Sequence, residues 1–160
     1  MAIPTWSFGH ELTQPFASRY AAFFLDSLRE TALVHESRAG IVYARGSGGT
    51  VREIFEDAEE NYYADTPDEL TPMIFFDSDG FWSGEGKPRG IKVDEAIRSL
   101  FTWRFGDLST SPFPVTERIV FETDRRKILK VLDSYSRATD ARFRRSLRRP
   151  RKPRKAARAA

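Results

Sequence analysis

Glu53 lies three residues past Thr50, which follows a glycine-rich turn, a spacing that sets a carboxylate beside an anion site. The turn is Gly46-Ser47-Gly48-Gly49, entered from a short apolar run, Ile41 to Ala44. A segment with helical spacing opens at Thr50 and carries Glu53 in its first turn. A strand, a glycine loop and a helix N-terminus together expose backbone N–H groups that have no intrahelical acceptor. The helix dipole adds positive potential there, and glycines let a phosphate come close to the backbone. Gly46, Ser47, Gly48, Gly49 and Thr50 are therefore the candidate phosphate loop. A carboxylate next to such a loop suggests chemistry on a nucleotide, beyond binding alone.

Each of these residues also has a plainer reading. Thr50-x-x-Glu53 fits a capping box, in which the threonine caps one amide and the glutamate reaches back to another. The glycine cluster fits a tight strand-to-helix turn. His10 and Glu11, in a Gly-His-Glu loop, either line the mouth of the site or serve the loop's own hydrogen bonds. Glu56, Asp57, Glu59 and Glu60 read as a solvated helix face. Trp6, Phe81, Trp82 and Trp103 read as packing residues that could alternatively stack a base.

The elements that must position these groups alternate along the chain. Ala2 to Thr5 reads as the end of a strand, and Phe16 to about Ser37 as a long amphipathic helix, with Phe16, Tyr20, Phe23, Phe24, Ser27, Leu28 and Thr31 at three-to-four spacing. Gly40 is a natural terminator. Strands are expected at 41–44, 73–76 and 118–121, and helices at 50–63, 93–105 and 124–136. The run Met73 to Phe76 is apolar throughout, as in a strand covered on both faces. Alternation of this kind implies an α/β fold with a parallel sheet, helices on both of its faces, and ligands beyond the carboxyl ends of the strands.

Composition narrows the chemistry. The 160 residues suffice for one domain with a real core, and 13 of them are Phe. There is no cysteine, which removes disulfides, thiolate metal sites and a cysteine nucleophile. Two histidines are too few for a histidine-based metal cluster, so neither a metal nor a cofactor is expected. No apolar run approaches the roughly 18 residues of a membrane span and no signal peptide opens the chain, so the expectation is a cytoplasmic protein with no membrane contact. The net charge of +3 conceals two parts. From Arg142 onward there are ten Lys/Arg and no acids, and the preceding residues carry about −7. The expected division is a folded domain over 1–140 and a disordered basic tail over 141–160.

Several separated segments agree in order with one family. Pro4-Thr-Trp6, Gly9-His-Glu11, Ser27-Leu-Arg-Glu30, Gly46-Ser-Gly-Gly-Thr-Val-Arg-Glu53 and Asn61-Tyr-Tyr63 resemble the LONELY GUY (LOG) family, often labelled Rossmann-fold nucleotide-binding proteins or, by an old misnomer, lysine decarboxylases. The resemblance runs from about residue 2 to residue 136. It departs at Arg45, where the family has Pro, and at Ser47, where Gly is usual. It also begins on what would be a middle strand.

The resemblance implies a Rossmann-like doubly wound parallel sheet that lacks its N-terminal βα units. It implies a nucleoside 5′-monophosphate substrate, cleavage of the base–ribose bond, and a homodimer or another partner that completes the sheet. By position, Glu53 matches the family's catalytic glutamate, Arg29 its partner arginine, and residues 46–50 its phosphate loop. Cleaving an N-ribosidic bond passes through an oxocarbenium-like state. A carboxylate near the ribose stabilises that cation and orients or deprotonates water, while an arginine positions the substrate. Two other readings stand beside this one. One is a non-catalytic nucleotide-binding or regulatory remnant. The other is a nucleic-acid-associated protein that contacts phosphates through residues 142–158.

Overall fold

The computed structural model describes residues 1–5, 15–84 and 90–148, with the backbone alone for 142–148. His10, Glu11 and Trp6, named above, lie outside the described residues. The elements are α1 (Asp26–Glu36), β1 (Ile41–Tyr43), α2 (Gly48–Tyr62), β2 (Met73–Phe76), α3 (Val93–Phe105), α4 (Val115–Arg118), β3 (Ile119–Glu122) and α5 (Arg125–Arg148). The protein is mixed α/β, and its three strands form one parallel sheet in the order β1-β2-β3.

Register explains the core. Tyr43 lies opposite Phe75, and Phe75 opposite Phe121. Their rings stack at centroid distances of 5.3 Å and 4.7 Å, which makes one aromatic row across the sheet. Met73 and Phe75 face Ile54 and Ala58 of α2 and Ile97 and Phe101 of α3, all buried in a single cluster. Ile74 and Phe76 alternate to the opposite face. There Arg125, the first residue of α5, sits over the Phe76 ring, and Ile128 is buried one turn further on. The Thr139 hydroxyl donates to the carbonyl of Arg38, so α5 runs back toward the start of β1.

Four expectations need correction. Ala2 to Thr5 is not a strand of this sheet; Ala2 and Thr5 make isolated parallel bridges to Tyr20 and Phe23. For the same reason the long helix expected from Phe16 begins only at Asp26. The amides of Ala21 and Phe23 donate to the carbonyls of Ala2 and Pro4, which takes those residues out of any helical ladder. The strand expected at 118–121 is 119–122, because Arg118 closes the short helix α4. The tail expected from residue 141 begins as helix, since α5 continues to Arg148. Arg, Ala and Leu are good helix formers, and the first proline of the tail, Pro150, comes only after that point.

Among the described residues, no helix is long and apolar enough to cross a membrane. Phe16, Phe24 and Leu28, which the expected helix would have turned toward a core, are exposed.

Candidate functional site

Helix α2 starts two residues earlier than its sequence suggests. Its N-cap is Ser47, in extended conformation, and the first intrahelical bond runs from the Val51 amide to the Ser47 carbonyl. The capping box is therefore absent. Thr50 lies inside the first turn, Glu53 lies in the second turn, and no side chain caps the helix. The amides of Gly48, Gly49 and Thr50 point out of the N-terminus without intrahelical acceptors. A side-chain carbon added at Gly48 or Gly49 would meet nothing within 4 Å, so the space in front of that turn is open. Gly46 differs. A Cβ there would fall 2.1 Å from the Thr50 Oγ1 and 2.6 Å from its Cβ. Gly46 is required for the loop to fold back on Thr50.

This loop leaves the carboxyl end of β1, at the sheet edge where ligands of parallel α/β sheets bind. A cleft of about 390 Å³ opens beside it. Its charged lining is Glu30 from α1, Arg45 from the loop and Glu53 from α2, with Ser37, Tyr43 and Thr50 also polar. Val34 and Ile41 belong to its apolar wall. Arg45 reaches across to the loop after β2, where it pairs with Asp79 at 2.9 Å and lies over the Phe81 ring at 4.7 Å. That loop is held by Asp77, whose carboxylate accepts from the amides of Trp82 at 2.6 Å and Ser83 at 3.1 Å.

Arg29 and Glu53, 24 positions apart in sequence, meet because α1 packs on α2. Arg29 is largely buried, pairs with Asp26 at 2.6 Å and donates to the carbonyl of Ile3 at 3.5 Å. It is not among the residues that line the cleft, and its charge favours the ionised form of Glu53. Burial raises the Glu53 carboxyl above its ordinary range, Arg29 opposes that, and Asp26 and Glu56 add to it. Glu30, one residue after Arg29, is buried, and its carboxyl is raised by desolvation first and then by Asp26.

In the sequence Arg29 and Glu30 also read as a solvated pair on a helix, yet Glu30 is buried, and its spacing to Val34, the other buried residue of α1, marks it as inward-facing. Asp57 is a second miss. Expected on a solvated face with Glu56, Glu59 and Glu60, it is almost fully buried. It accepts hydrogen bonds from Tyr43 at 2.8 Å, Thr71 at 3.2 Å and Asn61 at 3.4 Å. Phe81 and Trp82 are buried in the core, whereas Trp103 is 84% exposed.

A second cleft, of about 570 Å³, lies between α1 and α2 near the entry to β2. His35 and Glu60 face each other there at 3.1 Å, and Glu59 and Glu69 make it acidic. Its position at the amino ends of the strands and its negative charge suit a phosphate poorly. Among the described residues, no group of three or more His, Asp or Glu side chains is arranged to hold a metal ion. Compared with family models, curated proteins and solved structures, the chain matches none of them.

Proposed function

We propose that this chain is a LOG-type, Rossmann-like nucleotide-binding protein that hydrolyses the base–ribose bond of nucleoside 5′-monophosphates. One observation carries the reading. Thr50, in the open N-terminal turn of α2, and Glu53 line one cleft that runs along β1 to Arg45. The amides of residues 48–50 hold the 5′-phosphate, with the helix dipole behind them. Glu53, one turn further along α2, then faces the ribose. Its carboxylate stabilises the developing oxocarbenium ion and takes a proton from the attacking water. Arg29, paired with Asp26, opposes the rise that burial and acidic neighbours impose on the Glu53 carboxyl.

The test is release of free base and ribose 5-phosphate from a panel of nucleoside 5′-monophosphates, with Glu53→Gln assayed alongside. The expected result is release that falls by about 10²–10⁴-fold in the variant. Folded wild-type protein that releases no base from any member of the panel overturns the reading.

A further inference from the structure

Arg45 joins two loops at the carboxyl edge of the sheet. It stands between β1 and the glycine turn, lines the cleft, and reaches the loop after β2. There its Nη1 donates to Asp79 Oδ2 at 2.9 Å, and its Cζ lies 4.7 Å from the centre of the Phe81 ring. Among the described residues, its Nη2 and Nε bond to no acceptor. The two anchors differ in kind. Arg45 is 54% exposed and Asp79 42%, and an ion pair that open to water contributes little. Phe81 is buried, so its ring is a fixed platform, and a cation over a ring face is held without using its N–H groups.

The charge balance of the cleft gives this arginine its weight. Among the described residues that line the cleft, Arg45 is the one cation, against the carboxyls of Glu30 and Glu53. Arg29 and Arg52 stand outside the lining, and each already faces a carboxylate, Asp26 at 2.6 Å and Glu30 at 3.0 Å. Backbone amides and a helix dipole supply only partial charge. A phosphate dianion entering beside two acids needs a full positive charge as well. Arg45 lies three positions before Gly48, so at most about 10 Å of chain separates it from the open amides of α2.

We propose that Arg45 is the side chain that selects the 5′-phosphate, exchanging Asp79 for it when a nucleotide enters. The inference rests on the phosphate-loop part of the reading above. A phosphate carries more charge than one carboxylate and accepts from two guanidinium nitrogens at once, whereas Asp79 engages only Nη1. Phe81 positions the guanidinium in both states, and Asp79 takes it back when the phosphate leaves. Asp79 is thus a competitor of the ligand. The two residues of the pair then act on phosphate affinity in opposite directions. A pair that merely straps the two loops together has no such opposition, since losing either partner breaks the same strap.

The experiment titrates ribose 5-phosphate into the full chain by calorimetry. This probe carries the phosphate and has no base to lose, so its binding is read apart from hydrolysis. Arg45→Met, whose side chain still covers Phe81, is expected to weaken binding by about 10–100-fold. Asp79→Asn is expected to tighten it by about two- to fivefold. Effects of opposite sign support the assignment, and any other pair of effects overturns it. If Arg45→Met does not fold, the sign for Asp79→Asn decides: tighter binding supports the role, and weaker or equal binding overturns it. Folded wild type that binds no ribose 5-phosphate overturns both the role of Arg45 and the phosphate loop. Binding that shifts in opposite directions in the two variants, in a protein that releases no base from any nucleotide of the panel, overturns the hydrolase reading and leaves the role of Arg45 standing.

Discussion

Tyr43 on β1 donates its hydroxyl proton to Asp57 on α2 across 2.8 Å, and both side chains are buried. The contact ties the strand that feeds the glycine loop to the helix that follows it. Burial raises Asp57 to about 7, even though Tyr43 and Thr71 pull in the other direction. An unfolded aspartate titrates near 3.9. Between these two values the folded state holds a proton that the unfolded state has lost, so stability falls as pH rises through that window. The full gap corresponds to about 4 kcal/mol. Urea unfolding of the wild type at pH 4, 5.5 and 7 is expected to show this decline, and Asp57→Asn to flatten it. Glu30 and Glu53 titrate in the same direction, so the difference between the two profiles is the informative quantity. Parallel profiles would remove Asp57 from the account.

Removing the donor has its own signature. Tyr43→Phe keeps the ring stacked on Phe75 and deletes only the hydroxyl. The buried carboxyl of Asp57 then loses its shortest hydrogen bond, at a cost of about 1–3 kcal/mol. The cost is expected to be larger at pH 7 than at pH 4, because the ionised form depends on the donor more. A cost independent of pH would mean that the hydroxyl serves packing alone.

The three glycines of the loop are expected to separate under alanine substitution. Gly46→Ala drives a methyl into Thr50 and costs about 1–3 kcal/mol. Gly48→Ala and Gly49→Ala meet open space within the first turn of a helix. Alanine is the better helix former by about 1 kcal/mol, so thermal stability should rise modestly. If a phosphate uses the amides of this turn, the added methyl groups hinder its approach and nucleotide affinity falls while stability rises. Thermal melts with and without nucleoside monophosphate measure both effects. Unchanged affinity in both variants would make the loop a turn and nothing more.

The parts of the fold visible in the sequence are those where local pattern and tertiary environment agree. Val93, Ile97 and Phe101 recur at helical spacing and are all buried, and Gly106 closes that helix at φ 75°, so the expected 93–105 matches α3. Met73 to Phe76 is apolar because both faces of β2 are covered. The stretch from Phe16 has equally regular spacing, yet its amides pair with residues 2–4, a long-range choice that periodicity does not report. Acidic neighbours hide the register of Asp57 in the sequence. Ile54, Asp57, Ala58 and Asn61 follow three-to-four spacing and together form the buried stripe of α2. That stripe was available as a signal, as was the Glu30–Val34 pair on α1. The bond geometry that satisfies Asp57, and leaves a Glu30 oxygen without an aligned donor, depends on Tyr43, Thr71 and Arg52 from other elements and was not legible locally.

Arg29→Met isolates the influence of Arg29 on Glu53. Arg29 is the main group that lowers the Glu53 carboxyl, while Asp26 and Glu56 raise it. Without the guanidinium, Glu53 ionises at higher pH. If Glu53 accepts the proton of water, the acid limb of kcat/KM moves upward and activity at pH 5–6 falls more than activity at pH 8. Arg29→Lys, which keeps the charge, should restore much of the limb. An acid limb that stays in place in Arg29→Met would show that Arg29 acts through structure alone.

The basic end of the chain is expected to be dispensable for folding and decisive for polyanion binding. The last tertiary hydrogen bond described along α5 is Thr139 to Arg38, before the basic run begins at Arg142. Deleting residues 142–160 should therefore shift the melting temperature by no more than about 2 °C, since Ile128, the residue of α5 buried among the described ones, precedes the cut. The same deletion removes ten Lys/Arg and leaves a body with a formal charge of about −7. A chain of that charge is repelled by heparin or RNA, whereas the full chain presents a concentrated cationic segment whose binding releases counterions. Full-length protein should bind heparin and elute as salt rises, and the truncated form should pass through. Equal retention of both would rule out the basic run as the contact. A large loss of melting temperature would instead mean that α5 beyond residue 141 belongs to the folded domain.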